Sequence, residues 1–296
     1  MKAGHGKGVA LAVAGSVLWG ASGIAGQFLL QDRGVTPEWL SAARMIGAGI
    51  LLLGLDGLRC GGDIFSIWKS RHEALMLLLF GVLGMVGVQY TYFAAIALSN
   101  AATATILQYT MPILVILWTA FSERTRPSGR VLAALVLAVG GVLLLVTRGE
   151  WGTLAVSPEA LFWGLLSAAG AAFYTVQPKG LIRRWRSSLV VGWGMLIGGL
   201  FLSPLASLAA PPGQWDLSAY GALAFVVVFG TAAAFSLYIS SVAYIEPGEA
   251  SLLNSMEPLS SILFSVALLG MTFGAAELCG AAAILAAVCW VSRDGG

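Results

Sequence analysis

Stretches close to 20 residues long, in which nearly every side chain is apolar, recur from one end of this 296-residue sequence to the other. Cutting at clusters of charged and turn-forming residues gives ten spans: 8–30, 38–55, 74–96, 101–121, 130–147, 159–181, 188–209, 218–244, 249–270 and 274–292. At about 1.5 Å per helical residue, each is long enough to cross the ~30 Å hydrocarbon core of a bilayer. In that solvent every backbone N–H and C=O must be satisfied within the protein, and the continuous apolar runs lack the alternation of a barrel strand, so the spans are helices. Hydrophobic residues make up 58% of the chain and charged residues 10%, with a mean hydropathy of +0.87. A soluble domain carries roughly 25% charged residues, so a sizeable soluble domain is excluded. The N-terminal MKAGHGKGVALAVAG has the basic start and apolar run of a secretory signal. Its apolar run continues to about Leu30, longer than a signal core, so we expect it to be retained as a first membrane helix.

Basic residues orient the spans. With a cytoplasmic N-terminus, Lys2, Lys7, Arg59, Lys69, Arg71, Arg124, Arg126, Arg130, Lys179, Arg183, Arg184, Arg186 and Arg293 fall on the cytoplasmic side. Only Arg33 and Arg148 fall on the other, and Arg44 lies within the second span. Cytoplasmic loops of membrane proteins carry the excess of Lys and Arg. Both termini are therefore expected in the cytoplasm, which an even number of spans requires. The acidic loop around Glu246 and Glu249 has little weight in this rule.

Several function classes find no support. The basic residues are scattered in short clusters, which disfavours nucleic acid as a partner. Cys60, Cys279 and Cys289 have neither CxxC nor His spacing, so no disulfide framework or metal site is expected, and the last two read as small packing residues in a helix. His5 and His72 form no HExxH or triad-like arrangement. No GxxxxGK[ST] phosphate loop is present, so the chain is not expected to drive itself with ATP. No cofactor, metal or catalytic residue is expected, and the chain is read as a non-enzyme.

The chain also repeats itself. Shifted by 146 residues, Gly84 falls on Gly230, Tyr92 on Tyr238, Ala97 on Ala243, Leu107 on Leu253 and Pro112 on Pro258, while Thr105 meets Ser251 and Gln108 meets Asn254. The register holds for about 29 residues without a gap. The repeat unit is thus five spans, with halves at residues 1–147 and 148–296. Because five is odd, the second copy enters the membrane from the opposite side. Inverted repeats of this kind are a common transporter design, with the substrate site between the halves near mid-membrane.

At this level the sequence resembles the drug/metabolite transporter superfamily, and within it the ten-helix EamA-type exporters. The residues that carry the resemblance are VLWGAS (Val17–Ser22), PEWLSAARMIGA (Pro37–Ala48), YTYFAAIALSNAATATILQYTMP (Tyr90–Pro112) and FSER (Phe121–Arg124). The second half contributes LYISSVAYIEPGEASLLNSMEP (Leu237–Pro258). The resemblance covers essentially the whole chain and rests on the order, spacing and duplication of these segments. It implies export of small organic metabolites, with the neutral and aromatic amino-acid exporters as the nearest branch. One departure stands out: where the family often has Gly-Glu after the ninth helix, this chain has Gly270-Met271, although the first-half Glu123 is kept.

Polar groups in a membrane core usually face the bundle interior or a cavity. Gln108 and Asn254 each precede a proline by four residues, so Pro112 and Pro258 withhold the N–H that would bond the carbonyl of the amide residue itself. Two roles are open and compatible: the amides satisfy loosened backbone, or they line a cavity and bind a zwitterion, with the prolines as hinges. Thr105, Gln108 and Pro112 share a helix face, as do Ser251, Asn254, Pro258 and Ser261, and Tyr109 lies one step round. Glu257, near mid-depth in the ninth span, is expected to bind a substrate amine or couple protons. Its repeat counterpart is Met111. Arg44 is the intramembrane cation, and for both charges a purely structural buried pairing is the competing role. Trp39, Trp68, Trp151, Trp215 and Trp290, near span ends, read as interfacial belt residues. Trp19, Trp163, Tyr90, Tyr92, Tyr174 and Tyr238 lie within spans. With Gln89 on the third span and Gln177 on the sixth, they make mixed polar and aromatic faces suited to an amphipathic ligand. Gly194 and Gly198 form a GxxxG packing face, and GGVLLLV also lets helices approach.

The sequence therefore predicts an all-α membrane protein of ten transmembrane helices in two inverted five-helix repeats. It is expected to be a secondary transporter in a bacterial-type inner membrane, sufficient as a monomer. Its cavity is expected between the halves, lined by spans 1, 3, 4, 6, 8 and 9, with a small-molecule substrate and the lipid bilayer as partners. A transporter of other metabolites or drugs is the alternative. A sugar-phosphate or nucleotide-sugar carrier would want several mid-depth cations, where only Arg44 qualifies, and a non-transporting scaffold would not need a polar cavity.

Overall fold

A computed structural model describes residues 4–60, 63–122, 124, 129–150, 155–245, 249–250 and 253–292. Glu123, Trp151, Glu246 and Ser251 lie outside the described residues, as do Lys2, Arg126 and Arg293. Among the described residues the chain is helical throughout, with no strand. Seven helices are long and apolar enough to cross a membrane: α1 His5–Asp32, α2 Pro37–Leu58 (continuing to Cys60), α3 Arg71–Leu98, α4 Ala101–Trp118 (continuing to Ser122), α6 Pro158–Ile182, α7 Ser187–Ala206 and α8 Leu217–Ser241. Three shorter apolar stretches, Leu132–Thr147, Met256–Leu269 and Ala275–Trp290, complete the set and lie in α5 Gly129–Thr147, α9 Met256–Leu269 and α10 Ala275–Ser292. The protein is an all-α, multi-pass membrane protein with the ten helical segments the sequence predicts.

Local sequence sets the helix ends. Asn100 caps α4 by accepting the Thr103 N–H at 2.8 Å, and Ser157 caps α6 by accepting that of Ala160 at 3.1 Å, with Pro158 at the first helical position. Asp216 caps α8 by accepting the Ala219 N–H at 2.9 Å. Each satisfies a backbone donor that the first turn of a helix leaves open.

The proline-bearing spans differ from the expected loosened turn inside one helix. In α4, helical structure ends at Gln108, turns through Tyr109 and Thr110, and restarts at Met111. A turn at Asn254 and Ser255 likewise precedes α9. Pro112 and Pro258 thus sit in the first turn of a restarted helix, where a missing N–H removes no helical bond. The Asn254 carbonyl, denied a partner by Pro258, accepts the Glu257 N–H at 2.9 Å instead.

Wide π-helical turns occupy Phe28–Asp32 in α1, Phe80–Val86 in α3 and Phe225–Ala233 in α8. The last two fall close to the 146-residue shift. Packing pairs α2 with α7, α5 with α10, α1 with α8 and α9, and α6 with α3 and α4. Glycine permits the closest approaches. A Cβ on Gly141 of α5 would lie 2.7 Å from the Gly280 carbonyl of α10, and one on Gly280 would lie 2.6 Å from the Gly141 carbonyl. The GxxxG face of α7 meets α3, where a Cβ on Gly198 would lie 2.7 Å from the Gly81 carbonyl. Cys279, expected to pack, instead lies on the exposed face of α10.

Candidate functional site

The interior of the bundle holds a cavity of about 160 Å³. Its walls come from α1 (Trp19, Ser22, Gly23), α3 (Val88, Gln89, Tyr92), α4 (Gln108, Met111), α6 (Ala171, Tyr174, Thr175), α8 (Phe235) and the α9 segment (Asn254, Glu257), with Arg44 of α2 completing the lining. Spans 1, 3, 4, 6, 8 and 9 are those expected from sequence, and Arg44 adds the second.

Arg44 is 6% exposed and held from two sides. Its Nε donates to Thr231 Oγ1 at 2.8 Å and its Nη2 to the Gly230 carbonyl at 3.4 Å, both in the π-helical stretch of α8. Thr231 in turn donates to the Val226 carbonyl five residues back at 2.8 Å, a bond that the wide turn makes available. The guanidinium carbon stands 5.2 Å from the centre of the Phe93 ring. With two of five donors engaged, the guanidinium retains hydrogen-bonding capacity toward the cavity. Glu257 lines the same cavity as Arg44, with the Asn254 amide beside it.

Asn254 is fixed by α1: its Oδ1 accepts the Ser16 hydroxyl at 2.9 Å. Close approach of α1 to α9 at this level depends on Gly20, where a Cβ would stand 2.7 Å from the Glu257 carbonyl. Tyr92 is held by a 2.8 Å hydrogen bond with Thr105. Trp19 meets Phe235 edge-on at 5.1 Å between ring centroids and Tyr238 at 5.3 Å, and Tyr174 stacks on Phe80 at 5.5 Å. The result is an aromatic box with one cation, one carboxylate and three amides facing inward.

Of the residues singled out from sequence, Trp19, Arg44, Gln89, Tyr92, Gln108, Tyr174, Asn254 and Glu257 meet at this cavity. Tyr109 and Tyr238 stand behind its wall, Tyr109 buried beside Asn254 and Tyr238 against Trp19. Trp163 and Gln177 are placed elsewhere. Trp163 packs edge-on against Tyr90 and Phe162, and Gln177 donates to the Met76 carbonyl at 2.9 Å. A helix spans many side chains of one face, and which of them reach the cavity depends on where neighbouring helices cross. Ser22, Met111, Thr175 and Phe235 also line the cavity and were not singled out as binding residues. Met111 carried a signal as the repeat counterpart of Glu257, and Ser22 and Thr175 as hydroxyls inside apolar runs.

Hydrogen bonds tie the end of α1 to the turn that joins α3 to α4. Gln27 Oε1 accepts the Ala101 N–H at 2.8 Å, and Gln27 Nε2 donates to Gln31 Oε1 at 3.0 Å. Gln31 Nε2 donates to the Ile96 and Ser99 carbonyls at 2.8 and 3.0 Å. Farther out on the same side, Arg33 pairs with Asp216 at 2.9 Å. The Ser218 hydroxyl, the Ala219 N–H and Arg33 hold the Asp216 carboxyl below the usual carboxylate range. The cavity lining reaches the surface at Thr175, which is exposed.

A multi-pass helical fold around a mid-bundle cavity of this composition defines a small-molecule membrane transporter. The chain belongs to the EamA-like transporter family, whose model matches residues 6–147 and 159–293. It is 40% identical to the uncharacterized inner membrane transporter YicL of Salmonella typhimurium over 288 residues, covering 97% of this chain and 96% of that one. It is 28% identical to the threonine/homoserine exporter RhtA of Escherichia coli K12, covering 75% of this chain and 74% of that one. Over 139 residues, 46% of this chain and 47% of the other, it is 32% identical to the aromatic amino acid exporter YddG of Ancylobacter novellus. A solved crystal structure aligns with a TM-score of 0.65 at 19% identity, covering 98% of each chain, a likeness of fold alone.

Proposed function

We propose that this protein exports a small zwitterionic metabolite, in the first instance a neutral or aromatic amino acid, across a bacterial inner membrane by alternating access. The observation that carries the reading is that Arg44 and Glu257 face one aromatic cavity. A free amino acid brings a carboxylate for Arg44, an ammonium for Glu257 and an apolar side chain for the box of Trp19, Tyr92, Tyr174 and Phe235. Gln89, Gln108 and Asn254 supply orienting hydrogen bonds. Two of the relatives above are named as exporters of amino acids, which agrees with this chemistry.

The exchange of helix partners supports halves at 1–147 and 148–296 related by a two-fold axis in the membrane plane. Exchanging the halves turns the α1 contacts with α8 and α9 into the α6 contacts with α3 and α4, and maps α2–α7 and α5–α10 onto themselves. With the N- and C-termini cytoplasmic, the hydrogen bonds of Gln27 and Gln31 close the outward end and Thr175 faces the cytoplasm. The conformation would then accept substrate from inside, and export proceeds as the outer bonds break and the cytoplasmic ends of α4, α6 and α9 close. The restarts at Pro112 and Pro258 are the places where the inner and outer pieces of α4 and α9 can pivot. A monomer suffices, since both halves lie on one chain.

Counterflow in liposomes tests this. Purified protein should exchange labelled tyrosine, phenylalanine or threonine against the unlabelled compound, and Glu257→Gln should lose most of that exchange. Absence of counterflow for every amino acid would overturn the cargo, and normal exchange by Glu257→Gln at every pH would overturn the role of the carboxylate.

A further inference from the structure

Two depressions outside the cavity meet at one residue. The first is an apolar groove of about 460 Å³ between α4 and α6, lined by Leu114, Trp118, Ala169, Phe173 and Val176 among others. The second, about 390 Å³, lies at the adjoining helix ends and contains His72, Arg183 and Arg184. Gln177 lines both, so the groove and the basic depression adjoin at this residue. We propose that together they form a binding site for an anionic phospholipid, with the phosphate at Arg183 and Arg184 and one acyl chain along the α4–α6 groove.

Position and charge select this occupant. Trp118 is 56% exposed on a helix that spans the bilayer, so the groove opens toward hydrocarbon, where a soluble peptide or metabolite is absent and a lipid tail always present. The basic end lies just beyond the apolar part of α6, at the depth of lipid headgroups. Arg184 is paired with Glu73 at 3.1 Å yet is 74% exposed, so it keeps donors for a second anion. The Arg183 side chain has no hydrogen-bond or ion-pair partner among the described residues, and Lys179 stands one turn away. Glu73 is the opposing carboxylate in this depression, leaving an excess of cation. Clusters of Lys and Arg next to a membrane helix attract anionic lipid. The site bears on function through its walls: Ala169, Phe173 and Val176 hold the tail on the outer face of α6, while Ala171 and Tyr174 on the same helix line the cavity. A lipid there would brace the α4–α6 pair that closes the cytoplasmic mouth.

Native mass spectrometry of the full chain, released from micelles doped with phosphatidylglycerol or phosphatidylcholine of identical acyl chains, tests the proposal. The wild-type protein should retain phosphatidylglycerol in preference. Arg183→Ala, at an exposed side chain without a partner, should lower that preference about fivefold, the effect of one near-surface cation. Arg183→Lys should keep it. Ala169→Trp, which fills the groove from an exposed position, should reduce retention of both lipids. Equal retention of the two lipids by the wild-type protein would overturn the proposal, as would an unchanged preference in Arg183→Ala. Displacement of the lipid by millimolar inorganic phosphate would also overturn it, by assigning the site to a soluble anion. These readouts are independent of amino-acid transport, so the lipid site and the cargo can fail separately.

Discussion

Replacing Thr231 with valine removes one hydroxyl, at nearly constant volume, from a side chain that is fully buried. That hydroxyl accepts from Arg44 Nε at 2.8 Å and fixes the direction of the cavity's guanidinium. A hydrogen bond to a charged group is worth about 1.5–3 kcal/mol, and the hydrogen bond left to the buried cation is the long 3.4 Å one to the Gly230 carbonyl. For chains of this size about 1 kcal/mol corresponds to roughly 2–4 °C in melting temperature, so Thr231→Val should melt about 5 °C below the wild type. Thr231→Ser, which keeps the hydroxyl, is the control for lost methyl packing. The assay is thermal unfolding of the detergent-solubilised protein by intrinsic tryptophan fluorescence, together with counterflow. If Arg44 holds the substrate carboxylate, a misdirected guanidinium should also weaken apparent affinity by roughly tenfold, the equivalent of about 1.4 kcal/mol. Should the valine and serine variants melt within a degree of each other, the claim that Thr231 supports a charged Arg44 is wrong.

Other perturbations give separate readings. Gly141→Leu or Gly280→Leu puts side-chain atoms where the partner helix's carbonyl stands within 2.7 Å, so either should separate α5 from α10 and lower the yield of folded protein on size-exclusion chromatography. Asp216→Asn should flatten the acid side of the stability profile. The carboxyl is held below its ordinary range in the folded chain, so its contribution is present above that range and lost as pH falls through the folded value, as melting curves from pH 7 to pH 3 would show. Gln27→Leu removes the acceptor for the Ala101 N–H, and should increase labelling of a cysteine placed at position 108 by an impermeant reagent from outside. Unchanged labelling would mean that the closure does not depend on this bond.

Much of the architecture is legible in the sequence because lipid is a stringent solvent. A run of about 20 apolar residues has one cheap solution there, a helix, and so the number and order of the spans follow from where the apolar runs fall in the sequence. The caps that the structure shows at Asn100, Ser157 and Asp216 are similarly local, because the acceptor lies on the capping side chain itself. The paired Gln108–Pro112 and Asn254–Pro258 positions announce special backbone for the same reason. Their form was not legible. Whether a proline bends a helix or opens a restarted one depends on whether other donors take up the freed carbonyl, and here the N–H of Glu257 does so for Asn254.

The placement of side chains around the cavity is a matter for the tertiary structure. Trp163 and Tyr174 lie on the same helix, equally aromatic and equally intramembrane, yet one faces Tyr90 and Phe162 while the other lines the cavity with Arg44 and Glu257. The crossings of α6 with α3 and α4 make that choice, and they in turn depend on glycines such as Gly170, whose added Cβ would collide with the Gly87 carbonyl of α3. Arg44 shows the same division. Sequence marks it as an intramembrane cation that needs company, but its partners, Thr231 and the Gly230 carbonyl, lie 187 and 186 residues away and are presented by a π-helical stretch that no local pattern announces. The sequence by itself determined how many times the chain crosses the membrane and which of its residues are costly there. The packing of distant helices decided which of those residues share a cavity, because only their approach can bring a cation, a carboxylate and an aromatic box to the same lining.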